Sequence, residues 1–449
     1  MPDIDTGAQA ASRAEADERP TFRAWYALFA LTVTSIFGFL TYQILTLLMP
    51  DIKTDLSLTD LQIGETHGLS PAIFSLLILY PIAWVADRYE RSVVMGCAVL
   101  FWSLATAVSG LAVSFITLQA ATVALVMGEA AIKPIVYSLV ADLFSPKYRP
   151  RANIIVYGSA ALGGGLGMVL GGLLIGIVDD VRLLLPASLS DVAAWRLAFF
   201  VVALPGPLVA LSLFLIGSTR RKGATINVHP RNSVAPIKPY LRKYGLIAFG
   251  VFATMGLFDF ALKAFASWAP IMLMRIFEVP ASEVGIKFGS TFMAASVVGL
   301  VTASLLTPFW RKIAGTAYVL RAISVAAAGT AVPVFLLFFV TEILHVYILL
   351  FCLVVIFITG VALMPGMMQD IAPAPVRTRI MALGTVVYML AGGMGSPVVG
   401  FVSDQLAADP RGLIWAIVSV SVPAFLACAA LAHFMEKPYR RLVATVGAD

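Results

Sequence analysis

Charge is scarce in this chain of 449 residues: 12% are Asp, Glu, Lys or Arg, against about 25% in a soluble domain. Cysteine is scarcer. Cys97, Cys352 and Cys428 each fall in an apolar run with no paired spacing, which excludes a disulfide framework and a zinc site. His229, His345 and His433 lie in a linker or near span ends, and none has ligand spacing to another histidine. No GxxxxGK[ST] occurs, so the chain carries no phosphate loop for ATP-driven work. HExxH and GxSxG are also missing, which argues against hydrolytic chemistry. The first 24 residues lack the basic start, apolar middle and cleavage site of a secretory signal and read as a polar cytoplasmic tail. No metal or cofactor is expected.

What is abundant is apolar: 60% of residues are hydrophobic, and mean hydropathy is +0.92. Runs long enough to cross hydrocarbon, about 20 residues each, fall near 25–49, 61–86, 92–114, 116–143, 152–178 and 195–217. Six more fall near 242–276, 282–309, 314–338, 343–371, 378–406 and 411–435. The expected fold is an all-α membrane protein of twelve transmembrane helices. It divides into a tail (1–24), a six-helix bundle (25–218), a polar cytoplasmic linker (219–240), a second six-helix bundle (241–436) and a second cytoplasmic tail (437–449). With both termini cytoplasmic, about 23 of the 31 Lys and Arg fall on cytoplasmic segments, as loop cations do. That bias also accounts for the net charge of +6, so no nucleic-acid partner is expected.

The chain repeats itself. Shifted by 228 residues, ADLFSPKYRPRANIIVYGSAALGGGLGMVLGG aligns without gaps on QDIAPAPVRTRIMALGTVVYMLAGGMGSPVVG. Asp142 meets Asp370, Arg149 and Arg151 meet Arg377 and Arg379, and Gly164, Gly165, Gly167 and Gly172 meet Gly392, Gly393, Gly395 and Gly400. The offset spans an even number of helices, so the copies share one orientation, a parallel repeat. Glycines at such density let helix backbones approach closely where lipid supplies no hydrophobic drive.

These residues resemble the major facilitator superfamily. AWVADRYERS after the second span is similar to its G-x-x-x-D-R-x-x-R pattern, with Ala83 for the glycine and Asp87, Arg88 and Arg91 matching. Gly158, Gly167 and Gly171 fit a fifth-span G-x8-G-x3-G spacing, with Gly172 where proline is usual. Within the superfamily, LLMPDI, MGEA, VADLF, WRLAFFVVALPG, ASWAP and QDIAPAPVRTRIMAL resemble the Spinster group. That resemblance implies the two-bundle fold, alternating access and a lipid-like substrate such as a lysophospholipid or sphingosine phosphate. It also implies a central cavity lined by the first, fourth, seventh and tenth spans. The first-span Asp-Arg pair common in the family falls on Thr41 and Tyr42 here, and the arginine seven residues before the GEA glutamate falls on Thr122.

Charges inside spans are costly, about 2.5–3.5 kcal/mol each at mid-bilayer, and here they come in couples. Glu129 and Lys133 on the fourth span, and Asp259 and Lys263 on the seventh, are spaced i,i+4, which sets each acid over its base on one helix face. Each pair is either a self-neutralising structural contact or a proton and substrate device. In the second reading Glu129 titrates against Lys133, and Lys133 is a candidate replacement for the missing arginine. Phe260 and Trp268 are candidates for an apolar wall beside the second pair. Glu65 and His67 are read as interfacial or as part of an entry gate. Asp87, Arg88, Arg91, Asp142, Arg149, Arg151, Asp370, Arg377 and Arg379 sit at expected cytoplasmic helix ends, where they serve topology or form a gate.

The reading that follows is a proton-coupled secondary transporter in a bacterial inner membrane, monomeric, with a lipid-like or small organic-anion substrate. An integral membrane enzyme or a receptor is the alternative of another class.

Overall fold

The computed structural model describes residues 20–145, 148–182, 192–217, 237–373 and 376–446. All regular structure among them is helical, as a backbone in hydrocarbon requires when it must satisfy its own hydrogen bonds. Ten stretches among the described residues are long and apolar enough to cross a membrane, and Leu162–Val178 is a shorter apolar helix. One of the ten, Ala281–Phe339, holds two successive α-helices, Ala281–Ala314 and Tyr318–Leu336. The chain is an integral membrane protein.

The first half opens with α1 (Phe22–Leu56), α2 (Asp60–His67) and α3 (Leu69–Arg88). It continues with α4 (Arg91–Ser109), α5 (Phe115–Leu143), α6 (Arg149–Arg182), α7 (Ala194–Ala203) and α8 (Pro205–Phe214). The second half runs α9 (Ile237–Ala266), α10 (Ala269–Ile276), α11 (Ala281–Ala314), α12 (Tyr318–Leu336) and α13 (Ile343–Val361). It ends with α14 (Met364–Asp370), α15 (Arg377–Gly393), α16 (Gly395–Gln405) and α17 (Gly412–Val446). By packing, the chain forms two compact units, one of Met1–Leu45 with Phe74–Asn227 and one of Thr46–Ile73 with Val228–Asp449. The segment 46–73, numbered with the first six spans, thus groups with the second half.

In the first unit, α5 lies against α4 at Gly128, where a methyl group would meet Trp102 Cβ at 2.6 Å. Arg196, at the start of α7, closes the end of α4. Its Nη1 donates to the carbonyls of Gly110 (3.2 Å) and Ala112 (2.8 Å), which have no helical partner ahead of them. The second unit does the same with Arg411, whose Nη2 donates to Phe338 O (3.2 Å) and Val340 O (2.7 Å) beyond the end of α12. The two pairs of carbonyls stand 228 residues apart, so the sequence repeat is also a repeat of helix closure. The turns after α1 and α10 match as well. Ser57 (φ 51°) and Glu278 (φ 53°) are the non-glycine residues in left-handed conformation among those described, and each is three residues ahead of the next helix. In α17, the enclosed Glu436 carboxylate accepts both Nε (2.5 Å) and Nη2 (2.8 Å) of Arg321 from α12.

Candidate functional site

On α9, Asp259 and Lys263 approach to 3.2 Å, with side chains 21% and 34% exposed. Their spacing along the helix brings them together without help from any other element. The contact is an ion pair without hydrogen-bond geometry, for Asp259 Oδ2 is enclosed and makes no hydrogen bond. The carboxylate sits in a seat made by α15, where a methyl group at Gly392 would lie 1.7 Å from Oδ2. The glycine is required by the acid, and the repeat alignment that picked it out gave no hint of that. Gly392→Ala is therefore expected to fold but to push the carboxylate off Lys263, lowering transport in proteoliposomes about fivefold. In an Asp259→Ala background, where the seat is empty, the same substitution should add no further loss, as a coupled pair requires. An additive loss would assign Gly392 to helix packing alone.

The aromatic residues near this pair separate into two kinds. Phe260 is half-buried. Trp268 is wholly enclosed, with its indole N–H donating to Ser396 O at 3.0 Å, so its ring pins α10 to α16.

On α5, Glu129 is half-buried and engaged with neighbours. Its Cγ lies 3.4 Å from where a methyl group on Gly38 of α1 would stand, and Trp102 fills the other side of that position at 3.2 Å. Among the described residues, Trp102 Nε1 and Thr122 Oγ1 are enclosed and make no hydrogen bond. Thr122 precedes Glu129 by two helical turns and shares its face. Thr41 is buried and donates to Gly38 O at 2.9 Å, while Tyr42 is half-buried and engaged. Lys133 follows Glu129 by one turn of the same helix, and its side chain lies outside the described residues.

A second constellation had no counterpart in the reading of the sequence. Asp60, the first residue of α2 and almost fully enclosed, accepts both terminal nitrogens of Arg275 from α10, Nη1 to Oδ2 at 2.7 Å and Nη2 to Oδ1 at 2.8 Å. Lys53 Nζ adds a contact at 2.5 Å to Oδ1, and Ser403 Oγ donates to Oδ2 at 2.6 Å. Asp404 completes the join from α16, accepting the backbone N–H groups of Asp60 and Leu61, both at 2.8 Å. A carboxylate is favoured at those free donors by the helix dipole. Glycine makes the approach possible, since a methyl group on Gly64 would meet Ser396 O at 2.6 Å, and one on Gly400 would meet Asp60 O at 2.2 Å. His67, buried in the same segment, shares a hydrogen bond with Thr46 Oγ1 at 3.0 Å, and Glu65 accepts from Ser70 Oγ at 3.0 Å. The guanidinium–carboxylate fork is the strong, geometrically specific kind of ion pair. It clamps a segment from the first spans onto helices numbered with the second half.

The proposed cytoplasmic set is described only in part. Arg88 is exposed, its guanidinium 3.5 Å over the Trp84 ring. Arg91 is half-buried and engaged, and Arg151 is exposed. Asp370 is exposed and accepts the Tyr439 hydroxyl at 3.2 Å, and Arg379 is exposed and engaged. The side chains of Asp87, Asp142, Arg149 and Arg377 lie outside the described residues.

With this geometry in hand, similarity to known proteins is informative. The family profile described as Major Facilitator Superfamily matches residues 31–396. Protein spinster homolog 1 of Xenopus laevis is 27% identical over 387 residues, covering 80% of this chain and 69% of that protein. Sphingosine-1-phosphate transporter SPNS2 of Xenopus tropicalis is 23% identical over 411 residues, covering 87% of this chain and 76% of that protein. Among solved structures, a bacterial homologue of the human lysosomal transporter Spinster, in an inward-facing and unoccupied conformation, superposes with a TM-score of 0.77 at 22% identity. That match covers 95% of this chain and 98% of the other. Paired intramembrane charges, glycine-seated helix crossings and a repeated half thus coincide with a profile spanning most of the sequence, and the chain belongs to the Major Facilitator Superfamily as a relative of the Spinster transporters.

Proposed function

We propose that the chain is a secondary active transporter of an amphipathic, lipid-like anion, of the lysophospholipid or sphingoid-phosphate type. It has twelve spans in two six-helix bundles and works by alternating access. It resides in a bacterial inner membrane with both termini cytoplasmic and is driven by protons. The observation that carries the reading is the Asp259–Lys263 pair, 3.2 Å apart and partly exposed on a membrane-spanning helix. Charges in such a place are expensive unless they serve a substrate or ion path, and the transport of sphingosine-1-phosphate by a relative fits an ammonium facing a phosphate.

Glu129 is the proposed proton site. Its carboxyl group is half-buried on a membrane-spanning helix, where a charge is costly unless it serves an ion or substrate path. Phe260 offers apolar surface beside Asp259, and Thr41, Tyr42 and Thr122 occupy the places where the family carries charge. The cytoplasmic Asp and Arg set and the Asp60–Arg275 clamp are the proposed closures of the two ends.

The test is a flux screen in proteoliposomes under an imposed pH gradient, comparing lysophospholipids and sphingosine-1-phosphate with hydrophilic organic anions. Gradient-dependent flux of the lipids is expected. Glu129→Gln should lose the acceleration by the gradient and keep downhill movement. Flux of hydrophilic anions alone would overturn the lipid assignment, and unchanged gradient response in Glu129→Gln would remove Glu129 from coupling.

A further inference from the structure

Where α1, α4 and α5 meet in the first unit, a buried donor has nothing to donate to. Trp102 of α4 is wholly enclosed, and its indole N–H makes no hydrogen bond. Enclosed indole N–H groups ordinarily find an acceptor, as that of Trp268 finds Ser396 O at 3.0 Å. Nor is the ring free to turn toward one. It stacks on Phe37 of α1, with centroids 5.2 Å apart and planes inclined by 18°. Its stem is pressed onto Gly128 of α5, where a methyl group would lie 2.6 Å from Trp102 Cβ. The donor is fixed, so an acceptor has to come to it.

Gly38 of α1 leaves the approach open. The point where a methyl group on Gly38 would stand is 3.2 Å from Trp102 Cη2, 3.6 Å from its Cζ2 and 3.4 Å from Glu129 Cγ. Two bonds lead from Cζ2 to Nε1, and one bond leads from Cγ to the Glu129 carboxyl group, so a change of rotamer spans the gap between them. Of the two side chains that meet over Gly38, Glu129 carries the acceptor. In the structure Glu129 is engaged with other neighbours. We infer that Trp102 is a positioning residue for Glu129: its N–H is a second seat, which the carboxyl group takes when it leaves its present neighbours during transport. This role rests on Glu129 being the coupling residue, and it names what holds that side chain in the other part of the cycle.

The experiment replaces Trp102 with benzothienylalanine, which keeps the shape of the ring and puts sulfur in place of the N–H. Gradient-driven flux of sphingosine-1-phosphate in proteoliposomes should fall about fivefold, with the half-saturating concentration unchanged, because the seat serves turnover and not binding. Gly38→Ala, which sets a methyl group between the two side chains, should give the same loss. In a Glu129→Met background, which has no acceptor, neither change should add a further loss. The N–H is also read directly. Ultraviolet resonance Raman spectra contain a band that reports hydrogen bonding of indole, and subtracting the spectrum of Trp102→Phe isolates this ring among the seven tryptophans. The band should be that of a free N–H in the resting protein. Sphingosine-1-phosphate or lysophosphatidylglycerol should shift it to the hydrogen-bonded position in the parent and not in Glu129→Met. Full flux in the sulfur variant, an equal loss in the Glu129→Met background, a band unmoved by both lipids, or a shift that survives Glu129→Met would overturn the seat. Unchanged gradient response in Glu129→Gln would instead remove Glu129 from coupling and leave the spectrum to decide whether the seat exists.

Discussion

Asp60→Ala is expected to release the segment 46–73 from the helices that hold it. The substitution leaves Arg275 and Lys53 without their common carboxylate and removes the acceptor of Ser403 Oγ. Removing one partner of an enclosed ion pair costs about 3–5 kcal/mol. Arg275 and Lys53 keep 29% and 31% of their side chains exposed and regain water readily, which places the effect near 3 kcal/mol, roughly a 100-fold shift in the clamped population. The readout is maleimide labelling of Ser396→Cys in a background lacking Cys97 and Cys352. Ser396 is enclosed where α2 crosses α16, so the thiol should be protected in the parent and react far faster once Asp60 is truncated. Asp60→Asn keeps the shape and part of the hydrogen bonding and should fall between. Equal labelling in all three proteins would mean that glycine packing, without the ion pair, holds the join.

The second large effect is on stability. Arg196→Ala and Arg411→Ala each strip a charged donor from two carbonyls at a helix end. Hydrogen bonds involving a charged group are worth about 1.5–3 kcal/mol, so each substitution should cost about 2–3 kcal/mol. At the 2–4 °C per kcal/mol typical of domains this size, thermal unfolding in detergent should shift down by roughly 4–12 °C for either variant. The two arginines lie in different units and share no partner, so the double variant should show the sum. Lysine should rescue only part of the loss, because a single ammonium does not reproduce a planar fork spanning two carbonyls. A loss confined to one of the two variants would show that the halves repeat in form and not in energetics.

How much of this the sequence disclosed depended on whether a feature is local. Long apolar runs announce helices because lipid permits little else, and the Asp259–Lys263 contact follows from a four-residue spacing that any helix brings together. The duplication was visible where the two copies align at a constant offset of 228. It was hidden where loops differ in length: Arg196 and Arg411 are 215 apart and Ser57 and Glu278 are 221 apart, so a gapless shift passes over both. Asp60 and Arg275 are separated by 215 residues, and each taken alone reads as an ordinary charge at a helix end. Gly392 stood out as one glycine among many, and only the position of Oδ2 distinguishes a seat for a carboxylate from plain helix packing. Trp268 is a candidate for an apolar wall by its place in the sequence, and nothing local shows that its ring is enclosed with the N–H donating to Ser396 O. The spacing of Glu129 and Lys133 gives a shared helix face and no separation between their charges.

The left-handed turn at Ser57 has a consequence for chain length. Three residues carry the backbone from that turn to Asp60, and one residue more would rotate the whole of α2 by about 100°. The carboxylate would then swing out of reach of the guanidinium, while the Gly64 face would turn off the backbone it now abuts. The connection thus acts as a ruler that sets helical phase, and it tolerates a change of residue far better than a change in the number of residues.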